Sequence, residues 1–181
     1  FRRERGEAVT PEETKELIRR IMEAGGEFVL LTGREASEAA SLLGVPAEIW
    51  GCHGWQRRSP GGDTVTVALS AAEEQALLLL PGLFRAFPSD AVERKPVSAA
   101  LHWRERPDVL EQYGKLEKSI LERASEAGLE KLPFEQGVEF RLPSFTKGKA
   151  MKRILAARSS RDPVCYLGDD ETDEDAFRVL N

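Results

Sequence analysis

The chain has 181 residues, 41% of them hydrophobic and 31% charged, with 26 lysines and arginines against 31 aspartates and glutamates. That is enough apolar material for a core without disulfide staples, and a net charge of −5 argues against a nucleic-acid binder, which needs a basic face. No run is long and apolar enough to span a bilayer, and "FRRERGEAVTPEE" lacks the apolar stretch of a signal peptide, so a cytoplasmic protein with no membrane partner is expected.

The chain is expected to open in a loop. Thr10 and Glu13 then have capping-box spacing, Pro11 suits a first helical position, and Leu17, Ile18, Ile21 and Met22 form one apolar face up to Gly25-Gly26. "EFVLLTGR" predicts a strand buried on both faces, "REASEAASLLG" a short helix, and "AEIWG" a second strand. This alternation indicates a parallel α/β architecture.

The pattern changes at "WQRRSPGGDTVTVAL", where alternation around Pro60-Gly61-Gly62-Asp63 predicts a hairpin. Ser70 and Glu73 are placed to cap a helix through "EEQALLLL", and "AVERKPVSAALHWR" reads as a strand interrupted at Pro96. Val109, Leu110, Tyr113, Leu116, Ile120 and Leu121 recur at helical spacing up to Gly128. "VEFRLP", a helix over "KGKAMKRILAA" and the apolar run "PVCYLG" then restore the α/β alternation. The expected organisation is a core of residues 1–55 and 139–181 around an inserted α+β unit of residues 56–138. Cys52 and Cys165 lie in or beside apolar runs and are expected to be buried thiols.

Six of the seven positions from Asp169 to Asp175 are acidic. Thr172 is a candidate N-cap, which would place Asp173, Glu174 and Asp175 in a first helical turn where the dipole favours anions. Asp169, Asp170 and Glu171 are left unexplained by that cap. A solvated turn and a cation site both fit, and all-oxygen ligands favour Mg²⁺ over zinc. An EF-hand is excluded, because Glu174 stands where that loop needs glycine.

Two further stretches suit an anion. "LLTGR" puts Thr32 and Gly33 at the carboxyl end of a strand and the start of a helix, a position for phosphate as well as for a plain turn. "SFTKGKAM" puts Lys147 in a first helical turn, against the helix dipole, where an anion would offset the cost. His53 and His102 have no partners at zinc-ligand spacing and fit packed or hydrogen-bonding roles.

"TGR", "KGKA" and "GDDETD", in that order at the ends of α/β strands, resemble motifs of haloacid-dehalogenase-like phosphatases. With "GCHG", "ERKPVSAALHWRERP", "GVEFRLPSFTKGKAM" and "YLGDDETDEDAF", nearly the whole chain is similar to the trehalose-6-phosphate phosphatase family. The resemblance implies a Rossmann-like core whose first strand is missing from this chain, an inserted α+β cap, and Mg²⁺-dependent hydrolysis of trehalose 6-phosphate through an aspartyl-phosphate. It implies that Thr32, Gly33 and Lys147 bind the phosphoryl group, with Thr32 and Lys147 taking part in catalysis. Asp169 would bind Mg²⁺ directly, with Asp170 and Asp173 completing the metal site nearby. Glu93, Lys95, His102, Arg104 and Glu139 would bind the sugar, with His53 and Gly54 lining the cleft. The two aspartates of the family's D-x-D-G-T motif are absent from these 181 residues. They are expected immediately before Phe1, and the present stretch by itself is expected to be inactive. A phosphatase for another sugar phosphate and a catalytically silent module of a trehalose-synthesis protein are the alternatives.

Overall fold

A computed structural model describes residues 9–158 and 162–181, so the loop expected at the very start lies outside the described residues. The chain forms two compact units: one runs to Val67 and resumes at Phe145, and the other is Ala68–Ser144.

The first unit begins with α1 (Glu12–Glu23), β1 (Val29–Leu31), α2 (Ala36–Leu43) and β2 (Glu48–Gly51). A hairpin of β3 (Gln56–Arg58) and β4 (Thr64–Thr66) follows, and α5 (Lys147–Ala156) and α6 (Glu174–Leu180) complete the unit. Its sheet has the order β1-β2-β3-β4, and β1–β2 is the one parallel pair among the described strands. The sheet is therefore mixed where a parallel one is expected, because a tight turn between β2 and β3 reverses the chain at once.

Two apolar clusters explain why β1 reads as a continuous hydrophobic run. Leu30 packs with Ile18, Ala39, Leu43 and Ile49 on the α1–α2 side. Val29 and Leu31 pack on the other side against Trp50, Ala150 and Ile154. All three β1 residues remain only half-buried, since β1 is an edge strand. The expected Thr10 cap does not form: Pro11 flanks α1, and the Thr10 N–H donates to the Leu42 carbonyl.

The second unit holds α3 (Ala71–Leu83), β5 (Val92–Lys95), β6 (Ser98–His102), α4 (Pro107–Glu126), β7 (Glu130–Phe134) and β8 (Gly137–Arg141). Ser70 and Glu73 form the expected capping box, with Ser70 Oγ accepting from the Glu73 N–H and Glu73 accepting from the Ser70 N–H. Pro96 does not merely interrupt a strand; the chain reverses there into the antiparallel β5–β6 hairpin. The sheet order is β5-β6-β8-β7, antiparallel throughout. One face bears Ala99, Leu101, Val138 and Phe140, all buried. Phe140 meets Phe84 at 5.8 Å between ring centroids. Full burial of such a side chain stabilises by about 1.5–3 kcal/mol.

Two stretches expected on opposite sides of the division fall elsewhere. Residues 56–66 pair onto β2 and belong to the first unit, and β8 lies inside the second sheet instead of opening the core. A larger difference lies at 163–168, where an apolar run predicts a strand. No described strand pairs with it, Leu167 is 88% exposed, and Cys165 is exposed instead of buried. Among the described residues no helix is long and apolar enough to cross a membrane.

Candidate functional site

The acidic loop is organised around one buried carboxylate. Asp173 is 3% exposed, and its Oδ1 accepts from Lys147 Nζ at 2.7 Å and from the Tyr166 hydroxyl. Its Oδ2 accepts the Asp170 N–H at 3.0 Å. Burial pushes the Asp173 carboxyl up, but the hydrogen bonds from Lys147 and Tyr166 outweigh it and hold the group below the usual carboxylate range. Burial, together with the Asp173 charge, pushes the Tyr166 phenol well above its ordinary value.

The cap expected at Thr172 is made instead by Asp170 and Asp173, which bracket a 3-10 turn, Glu171–Asp173, leading into α6. Glu174 and Asp175 occupy the first turn of α6, as the dipole favours. Lys147 opens α5 with its side chain buried, a position the dipole disfavours, and the anion that offsets this in the structure is Asp173.

Asp169 and Asp170 are exposed, and one carboxylate oxygen each from Asp169, Asp170 and Asp173 lie within 4.8 Å of one another. Exposed carboxylates at such range repel by on the order of 1 kcal/mol. Carboxylate oxygens so grouped are of the kind that could hold a hard cation. Asp173 has both oxygens engaged by protein donors, so Asp169 and Asp170 carry the oxygens best able to ligate.

Thr32 follows β1 directly. Its N–H donates to the Trp50 carbonyl, its carbonyl accepts the His53 N–H at 2.9 Å, and Cys52 N–H reaches the Arg34 carbonyl. The Thr32 hydroxyl oxygen accepts the Arg34 N–H at 3.2 Å, which leaves the hydroxyl hydrogen available to a ligand. Gly33 is glycine for a steric reason: a Cβ there would stand 2.7 Å from His53 Nε2. Cys52 and His53 both have left-handed backbones, at φ 48° and 54°, and Gly54 follows at φ 98°. A Cβ on Gly54 would meet the Ala150 Cβ at 2.5 Å, and Arg153 donates to the Gly54 carbonyl. The 52–54 turn thus fastens the Thr32–Gly33 turn on one side and α5 on the other.

In the second unit, Lys95 Nζ lies 3.0 Å from Glu139 and 3.4 Å from Glu93, and His102 Nε2 lies 2.9 Å from Glu93. Four of the five expected sugar-binding residues therefore form one network. Arg104 is exposed and joins no described hydrogen bond of it.

Sequence reasoning missed Tyr166. Nothing in a tyrosine ending an apolar run signals a bond to a carboxylate seven residues on.

Residues 3–181 match the family model for trehalose-phosphatase. A trehalose-phosphate phosphatase of Mycobacterium tuberculosis is 29% identical over 165 residues, covering 84% of this chain and 41% of that protein. The Escherichia coli trehalose-6-phosphate phosphatase is 30% identical over 163 residues, covering 86% of this chain and 59% of that protein. The chain thus spans between about two fifths and three fifths of these relatives' lengths. A solved trehalose-6-phosphate phosphatase C-terminal domain from C. albicans shares the fold at TM-score 0.78, with 21% identity, 99% of this chain and 68% of that chain covered. Other structures of like fold include haloacid dehalogenase-like hydrolases.

Proposed function

The chain belongs to the trehalose-phosphatase family, and on that premise we propose that the complete protein hydrolyses trehalose 6-phosphate to trehalose and phosphate, with Mg²⁺. The fold is that of a haloacid dehalogenase-like hydrolase, and in our reading the first unit is its core and the second an α+β cap. The observation that carries the proposal is the buried Lys147–Asp173 pair beside the exposed carboxylates of Asp169 and Asp170.

In this reading Lys147 keeps two ammonium hydrogens beyond the one given to Asp173 and directs them to phosphoryl oxygens. The Thr32 hydroxyl donates to the same group, and Gly33, held flat against His53, lets the anion approach the backbone. Asp169 and Asp170 would hold Mg²⁺, which when bound supplies charge neutralisation of the phosphoryl oxygens. Asp173 fixes the direction of Lys147 and the backbone of Asp170. Glu93, Lys95, His102 and Glu139 alternate acceptors and donors, the pattern that suits hydroxyl groups, with Arg104 at the exposed margin.

In the family that this chain belongs to, the resemblance implies that two aspartates attack phosphorus and protonate the leaving sugar oxygen. The 181 residues hold no D-x-D-G-T, and our reading assigns both steps, and the aspartyl-phosphate between them, to residues outside this chain.

The test uses protein expressed from the complete reading frame. With Mg²⁺ and a panel of sugar phosphates, phosphate release is expected to be fastest from trehalose 6-phosphate and to stop with EDTA. Equal rates on every ester, or none on any, would overturn the proposal.

A further inference from the structure

In an antiparallel sheet, register partners and residues two apart share a face. The face of the second sheet opposite α3 and α4 therefore carries three rows. His102 stands opposite Gly137; Glu93 and Glu139 flank Ala100; Lys95, Ser98, Arg141 and Glu130 form the third. The His102 side chain is 42% exposed, so the face is open at that end. Arg141, at the other end, is 4% exposed.

Arg141 is only partly satisfied. Its Nε lies 3.3 Å from Glu130, a carboxylate whose side chain is itself 45% exposed. Its Nη1 is buried and has no hydrogen-bond partner among the described residues. A guanidinium N–H shut away from water without an acceptor bears its full desolvation cost, and an apolar side chain of similar volume would avoid it. Structure alone gives no reason for arginine here.

The charges on the face say what could use that donor. Lys95 and Arg141 stand against Glu93, Glu139 and Glu130, so there is no excess of positive charge for a phosphate dianion. Hydroxyl groups both donate and accept, and they match a row of carboxylates interleaved with N–H donors. We infer that Arg141 is a further sugar-recognising residue, whose Nη1 donates to a hydroxyl or ether oxygen of the carbohydrate bound on this face. The inference rests on the proposal above that this face takes the sugar.

Three variants of the complete protein test it: Arg141→Gln, Arg141→Lys and Glu130→Ala. Trehalose binding is measured by calorimetry, and hydrolysis is compared between trehalose 6-phosphate and p-nitrophenyl phosphate. Arg141→Gln is expected to weaken trehalose binding about tenfold and to raise KM for trehalose 6-phosphate by a similar factor. Turnover of p-nitrophenyl phosphate and the circular dichroism spectrum should not change. Glu130→Ala removes the Nε partner but spares Nη1, and should leave trehalose binding at the wild-type value. If Arg141→Gln does not fold, Arg141→Lys is expected to fold and still weaken trehalose binding severalfold, because an ammonium lacks the planar fork. Equal trehalose affinity in wild type and the Arg141 variants overturns the inference. So does a Glu130→Ala variant as impaired as Arg141→Gln, which would mark the pair as structural. Arg141-dependent trehalose binding without hydrolysis of trehalose 6-phosphate would sink the proposed function and leave this inference standing. A wild type that binds no trehalose sinks the inference.

Discussion

The molecule carries two polar networks that differ in how they are built. In the first unit, three donors converge on one buried carboxylate: Lys147, Tyr166 and the Asp170 N–H all serve Asp173. In the second, Glu93 and Glu139 share Lys95, and Glu93 also takes His102. A group held by three protein donors has little capacity left for a ligand; it orients others. Carboxylates that share their donors can exchange them for hydroxyls. The first network is therefore a fixed frame, and in the proposed function the second is an exchangeable surface.

Removing the cation from the frame gives the strongest test of this contrast. Lys147→Met leaves Asp173 buried without a counter-charge and should cost about 3–5 kcal/mol in urea denaturation. The pH response has a defined sign. Asp173 titrates below its unfolded value, so its stabilisation is present above the ordinary carboxylate range and is lost as pH falls through the depressed value. In Lys147→Met burial gains weight, and the acid limb of the melting curve should move toward neutral pH.

Asp169→Asn acts on the open side of the same frame. It is expected to reduce phosphate release about 10²–10³-fold and to remove Mg²⁺ binding measured by calorimetry. The melting temperature without metal should hold or rise slightly, because a like-charge contact is relieved. A large fall in stability would make Asp169 part of the frame and break the contrast.

Glu139→Gln on the second face should lower kcat/KM for trehalose 6-phosphate about tenfold while sparing p-nitrophenyl phosphate. Loss on both substrates alike would mean that this face also serves the reacting end. Tyr166→Phe removes one of three donors and should cost about 1 kcal/mol. At the small end, Arg104→Ala should leave the melting temperature unchanged, since Arg104 is exposed and outside the described network.

The same contrast governs what could be read from sequence. The frame is built from neighbours: Asp169, Asp170 and Asp173 stand within five positions, and a lysine opening a helix stands out against the dipole. The second face draws on Glu93, Lys95, His102 and Glu139 from three strands, and no local pattern announces that they meet. They were reached by resemblance. The Ser70 cap, the β3–β4 hairpin and the long α4 were legible because each rests on interactions within a few residues. The strand expected over 163–168 has no partner among the described strands. Tyr166 was invisible because its bond spans a loop whose course is set by the Asp170–Asp173 turn.

The two cysteines differ in a way that gives the molecule a built-in attachment point for a reporter. Cys52 is 1% exposed within a left-handed turn, whereas Cys165 lies in the open, four residues before Asp169. Of these two thiols, maleimide on the native fold should therefore modify Cys165 and spare Cys52. A fluorophore placed there, four residues along the chain from Asp169, would give a signal to follow while Mg²⁺ is added.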